Sequence, residues 1–135
     1  MTQVIVYTND NGNVSVCYPT GELPIEDVLA KDCPEHAIIV DADALPQGED
    51  DFFDAWRLIN GAVTVDLDAA KKIHLERFNA AAKAEAQHRQ TNTAVGIENT
   101  PTDAEFLADL SAKRSAISAA TSTAELRLIK VTIGV

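Results

Sequence analysis

Apolar residues in this chain change, within residues 55–78, from a period of two to one near 3.6, and the segments before that change are mostly short and strand-like. Gln3-Val4-Ile5-Val6-Tyr7-Thr8 is rich in β-branched and aromatic side chains and predicts a strand. Asn9-Asp10-Asn11-Gly12-Asn13 is a dense turn signal, after which Val14-Ser15-Val16-Cys17-Tyr18 returns as a second strand. Val14, Val16 and Tyr18 give that strand one apolar face, and Pro19 to Gly21 closes the hairpin. Behind Pro24, the i, i+3, i+4 spacing of Ile25, Val28 and Leu29 predicts a short helix over 24–31. Glu26 and Asp27 fall in its first turn, where the helix dipole favours them, and Asp32-Cys33-Pro34 stops it. Ala37-Ile38-Ile39-Val40 reads as a buried strand, Gln47 to Asp51 as an acidic surface loop, and Phe52 and Phe53 as folding back onto the small sheet.

Residues 55–78 hold the change of period. Strands over Ala55–Ile59 and Ala62–Val65 flank Asn60-Gly61, the preferred dipeptide of a two-residue type I′ turn. Asp66 then offers a short acceptor to the open N–H groups of a helix running from Asp66 or Asp68 to about Thr91. Its large apolar residues are few: Ile73, Leu75 and Phe78, followed by a run of alanines. At about 25 cal/mol per Å² alanines contribute little burial each, so this helix needs a partner at close range. Asn92 to Pro101 reads as a loop, and Thr102-Asp103-Ala104-Glu105 has capping-box spacing. Phe106, Leu110 and Ile117, with Leu107 at their flank, stripe a second helix over 102–119, so an antiparallel helical hairpin is expected. Ser122 and Glu125 repeat the capping spacing for a last helical turn or two, and Lys130 to Val135 fits either a strand or a frayed tail.

The fold class expected is therefore α+β. A small N-terminal antiparallel β lobe with a short helix, residues 1–66, precedes a C-terminal α-helical hairpin, residues 67–135. Ile73, Leu75, Phe78, Phe106, Leu110 and Ile117 are the expected partner-binding surfaces, and closely packed alanines suit a homo-oligomer.

Charge divides with the pattern. Residues 1–68 carry 2 basic and 14 acidic side chains, a net of −12, and residues 69–135 carry 9 basic and 7 acidic, a net of +2. Phosphate binding needs clustered cations, so nucleic acid and anionic lipid are poor partners for such a chain. No apolar run approaches the roughly 18–20 residues that cross a bilayer, and Met1-Thr2-Gln3 leads into a strand without a signal-peptide pattern. The expectation is a protein made and kept inside a cell, or packed into something assembled there. Cys17 and Cys33 are sixteen apart and match no metal or redox spacing; two buried, reduced thiols are expected.

Candidate chemistry is thin. His36, His74 and His88 have no ligand at a metal-binding spacing, and His74 in mid-helix reads as a structural hydrogen-bonding group. Asp41 and Asp43 would share one face of an extended strand, which is more often a solvated edge than an acid–base pair. Glu49-Asp50-Asp51 lacks the register of a calcium loop. No serine sits in a Gly-x-Ser-x-Gly elbow and no glycine-rich loop cradles phosphate. The basic residues Lys71, Lys72, Arg77, Lys83 and Arg89 are interrupted by Glu76 and Glu85, which favours pairing with carboxylates. A non-enzyme is expected, with no cofactor, no metal and no small-molecule substrate.

Trp56 and Arg57, Asn60-Gly61, Val65-Asp66, Ala70, Ile73-His74 and Arg77 together form a pattern. With the opening hairpin and Leu23-Pro24-Ile25-Glu26, the chain resembles, over about residues 3–78, the small tail-fibre assembly or tail accessory proteins of tailed bacteriophages. Beyond Phe78 it departs from them: many continue into a proline-interrupted, leucine-rich helix pair, whereas this chain runs through alanines. The resemblance implies a structural or chaperone role in building or attaching tail fibres. It also implies a phage tail or tail-fibre protein as partner, in the host cytoplasm during assembly and then in the virion tail. A rival reading is an acidic mimic of nucleic acid that blocks a basic host protein, with Glu22, Glu26, Asp27, Asp41, Asp43, Glu49, Asp50 and Asp51 as its charged face. A small hydrolase or metal enzyme is a third, and would need a concave pocket holding a perturbed carboxylate or histidine.

Overall fold

The computed structural model describes residues 2–132. The chain forms two compact units, Met1–Ala70 and Lys71–Val135, so the division falls one helical turn beyond Asp66. The first is an antiparallel β lobe with a short helix and the second is helical.

In the lobe, β1 (Gln3–Thr8) lies between β2 (Val14–Cys17) and β3 (Ile38–Asp41) in a three-stranded sheet, and β4 (Trp56–Ile59) pairs with β5 (Ala62–Val65) as a separate hairpin. The first turn is organised by Asn9, whose Oδ1 accepts from the N–H groups of Asn11 and Asn13 at 3.0 and 3.2 Å. The second has Asn60 at φ 51° and Gly61 at φ 81°, the paired left-handed conformations of a type I′ turn. Register sorts the side chains by face. Val6 stands opposite both Val16 and Ile38, and Val4 opposite Val40. This face meets Trp56, Val63 and Leu45 in the lobe's core. Trp56 donates its indole N–H to the Glu49 carbonyl at 3.1 Å. Arg57 Nη1 donates to Asn13 Oδ1 at 3.1 Å and to the carbonyls of Asp54 and Trp56, each at 2.8 Å, which ties the second hairpin to the first turn.

The other sheet face carries Ile5, fully buried, and Cys17. Helix α1 (Ile25–Asp32) packs on β1, although none of its own residues is fully buried. Pro24 is its N-cap rather than its first residue, and Cys33, held extended before Pro34, ends it.

Three expectations are corrected. Tyr18 lies beyond β2 and is exposed rather than part of its apolar face. Asp41 and Asp43 do not share an extended face, because a 3-10 turn over Ala42–Ala44 begins directly after Asp41. The acidic segment expected to be loop through Asp51 instead enters a 3-10 stretch at Asp50–Ala55. That stretch buries Phe52, while Phe53 stays partly exposed with its ring 4.8 Å from that of Trp56.

Helix α2 (Leu67–Ala94) starts where Asp66 Oδ1 accepts from the Asp68 N–H at 3.1 Å. Its first turn belongs to the lobe and the rest to the helical unit. Helix α3 (Asp103–Ala119) opens on the full capping box of Thr102 and Glu105. Helix α4 (Thr123–Leu128) opens on Ser122, whose hydroxyl accepts from the Glu125 N–H at 3.2 Å. The Glu125 carboxylate reaches back to the N–H and hydroxyl of Thr121, one residue earlier than a standard box. Helices α2 and α3 run antiparallel: Lys71 Nζ donates to the Ser118 carbonyl at 2.9 Å, Arg114 Nε to Asn79 Oδ1 at 3.1 Å, and Arg89 pairs with Asp103 at 3.2 Å. Residues 129–132 form no strand. Thr132 is held by Lys113 and Asp109, at 2.9 and 3.0 Å, and the rest of the terminal segment, 133–135, lies outside the described residues.

Candidate functional site

The seam of the helical unit is built by a 4-3-4-3 spacing. On α2 it runs Phe78, Ala82, Glu85, Arg89, Asn92, all buried; on α3 it runs Phe106, Leu110, half-buried Lys113 and Ile117. Phe78, Phe106, Leu110 and Ile117 are therefore taken up by the unit's own interior, and Ile73 and Leu75 are half-buried. The partner surface expected on these six residues is thus mostly internal in this conformation.

Toward the turn between α2 and α3 the seam becomes polar. Glu85 and Arg89 are both about 4% exposed and face each other at 3.2 Å, close enough for an ion pair though off hydrogen-bonding geometry. Arg89 Nη1 donates to the Pro101 carbonyl and to Asp103 Oδ1, and the guanidinium lies 4.4 Å from the centre of the Phe106 ring. Asn92 donates to Asn99 Oδ1 at 3.1 Å, and Asn99 in turn donates to the Arg89 carbonyl and to Asp103. The pairing expected for the interrupted basic stretch is realised at Glu85 and Arg89, but buried rather than on the surface. Sequence reasoning missed this layer because charged residues read as surface; their seam spacing was the available signal.

Beside this layer lies a groove. Two adjoining hollows of about 410 Å³ each share Ala86, Phe106 and Leu107. One continues past Arg89 to Thr93, the other past Leu110 to Lys83 and Arg114. Leu107 is 63% exposed on its rim, and Val95 and Ile97 are exposed in the turn at its end. Arg114 bonds Asn79 and lies 5.9 Å from the Phe78 ring centre, with no carboxylate partner among the described residues, and Lys83 is exposed. The groove is apolar along its floor and cationic at one end. An apolar floor with cations at one end has the chemistry to hold the apolar ridge of an extended or helical segment and to pair with carboxylates on it.

The histidines do not converge. His36 Nε2 bonds the Thr8 carbonyl at 3.0 Å, with its ring edge-on to Tyr7, in the lobe. His74 Nε2 bonds the Ile129 carbonyl at 2.8 Å, the structural role expected of it. His88 lies fourteen residues further along α2, about 21 Å at the helical rise. Among the described residues no group of three or more His, Cys, Asp and Glu side chains is placed to hold a metal ion, and no helix is long and apolar enough to cross a membrane. The pattern residues Trp56, Asn60, Gly61, Asp66 and His74 all hold joints of the backbone: a core anchor, a turn, a helix cap and a clasp on the segment after α4. Arg77 is exposed on α2. No protein-family model, curated protein or solved structure matches this chain.

Proposed function

We propose that this chain is a non-enzymatic tail protein of a tailed bacteriophage, acting structurally or as a chaperone or adaptor while tail fibres are built or attached. The reading rests on the residue pattern over 3–78, and the observation that carries it furthest is the groove along α2 and α3. Its exposed Leu107, apolar floor and cationic end suit a macromolecular partner better than a small substrate. The occupant proposed is an amphipathic segment of a tail-fibre protein, its apolar ridge on Leu107 and Ala86 and its carboxylates on Lys83 and Arg114. Work in the host cytoplasm followed by carriage in the virion tail belongs to the same proposal.

Co-expression with a tail-fibre protein of the same phage tests this. The fibre protein should co-purify with the wild-type chain, and Leu107→Asp should cut recovery at least tenfold while circular dichroism stays unchanged. Undiminished capture by Leu107→Asp, or no capture by the wild type, would overturn the groove assignment. A wild-type chain that instead self-associates in light scattering, and loses this with Leu107→Asp, would assign the groove to a second copy.

The net charge of −12 on residues 1–68 favours the nucleic-acid mimic as second reading. It requires tight, salt-sensitive binding to a basic nuclease, weakened when Glu26, Asp27, Asp50 and Asp51 are made amides.

A further inference from the structure

Arg89 is only about 4% exposed, yet it lines the hollow of about 410 Å³ beside Leu107. A guanidinium carries five N–H groups, and this one does not spend them all. Nη1 donates to the Pro101 carbonyl and to Asp103 Oδ1, and Nε faces Glu85 at 3.2 Å, off hydrogen-bonding geometry. Phe106 lies against the guanidinium, its ring centre 4.4 Å from Cζ. Nη2 is shielded from solvent and has no acceptor among the described residues. Buried N–H groups are almost always paired, so an orphaned charged donor in the wall of a hollow points to a ligand atom that would accept from it. The hollow supplies the route: Leu107 and Gln90, which also line it, are exposed side chains that an entering group can part.

We infer that the hollow takes an uncharged hydrogen-bond acceptor, the carbonyl of a backbone or side-chain amide on the docked segment, and that Arg89 Nη2 donates to it. The inference deepens the groove reading above and rests on that groove being a docking surface. Charge decides between acceptors. Glu85 and Asp103 already set two carboxylates against one guanidinium, each at 3.2 Å. A third carboxylate would be repelled by both where charge is poorly screened, whereas a neutral carbonyl brings its lone pairs without that repulsion. Carboxylates belong at the adjoining hollow, which Lys83 and Arg114 line. Lys83 and Arg89 are six residues apart on α2, about 9 Å at the helical rise. The occupant therefore carries an acidic residue at one end and an uncharged amide at that distance, joined by the apolar ridge on Leu107 and Ala86. A segment with an apolar side chain at the amide position leaves Nη2 unpaired and is discriminated against.

The test titrates the full, isotope-labelled chain with benzamide and with benzoate, which share a ring and a carbonyl and differ in charge. Nuclear magnetic resonance follows the Leu107 methyls and the Arg89 side-chain N–H groups. Benzamide should shift both and bind about tenfold tighter than benzoate, the scale set by one hydrogen bond to a charged donor. Glu85→Leu with Arg89→Met should keep the Leu107 shifts and abolish the preference. If that variant fails to fold, the wild-type titrations decide alone. Equal affinities, a preference for benzoate, no binding of either probe, or Leu107 shifts without Arg89 shifts would each overturn the assignment. Fibre capture is read separately: capture without the benzamide preference strikes only the role of Arg89, and the preference without capture strikes only the tail reading.

Discussion

In the lobe, Val4, Val6 and Val14 are no more than 1% exposed, and the cluster they serve is closed by one tryptophan. In the helical unit the corresponding interior positions pass from Phe78 through Ala82 to Glu85, Arg89 and Asn92. One interior is filled by bulk and the other is progressively handed to hydrogen bonds. The difference bears on what each can tolerate. An apolar core loses stability in proportion to what is removed, whereas a buried charge layer depends on every member being present. It also shapes the surface: small Ala82 at the seam and Ala86 beside it leave a groove along α2 and α3 that bulkier side chains would have filled.

The largest expected effect is on the lobe. Trp56→Ala removes the cluster's biggest side chain together with its bond to Glu49, and should cost about 4 kcal/mol. Calorimetry separates this from the helical unit: the lobe's transition should fall while the helical unit's holds. A common shift of both would show the two units unfolding as one.

Next is the polar layer. Arg89→Met alone leaves Glu85 buried without its cation and should cost about 3 kcal/mol. Glu85→Leu with Arg89→Met should recover most of this, because two apolar residues replace two desolvated charges. If the double variant is as unstable as the single, the layer's worth lies in the links to Pro101 and Asp103 instead. Denaturant midpoints of the four-member cycle decide it.

What could be read from the sequence was local. Both hairpins announce themselves through alternation around Asn9–Asn13 and Asn60-Gly61, and the caps at Asp66, Thr102 and Ser122 through side chains that bond a backbone N–H two or three residues away. What was hidden depends on distant segments meeting. The antiparallel hairpin was legible, and Phe78 and Leu110 were expected to make contacts, but whether with each other's helix or with a partner was not. The return of α3 takes up both of them inside the unit and leaves Leu107 outside. Asp41 and Asp43 failed for a smaller reason: a 3-10 turn begins one residue after the last strand position.

A smaller effect tests the caps. Thr102→Ala removes the acceptor for the Glu105 N–H and should cost about 1 kcal/mol, visible in the helical transition and absent from the lobe's.

Acid should separate the units most gently and in opposite directions. Glu105 is held below its ordinary value by the Thr102 hydroxyl and backbone N–H, and Glu125 by the Thr121 backbone N–H and hydroxyl. Asp109 is held down by its bond to Lys113, with Thr132 adding to it. A carboxyl whose folded value lies below its unfolded one contributes stability that is fully present above the unfolded value and is lost as pH falls through the folded one. The helical unit should therefore weaken below about pH 4.5, near the ordinary value of the two glutamates. In the lobe, the same protons neutralise a surface that carries seven acidic groups for each basic one, relieving self-repulsion. Trp56 fluorescence reports the lobe, which holds the chain's one tryptophan, and far-ultraviolet circular dichroism is dominated by the helices. On titration to low pH the helical signal should decline first while Trp56 emission holds. Loss of the tryptophan signal ahead of the helical one would mean that paired carboxylates, not excess charge, govern the lobe as well.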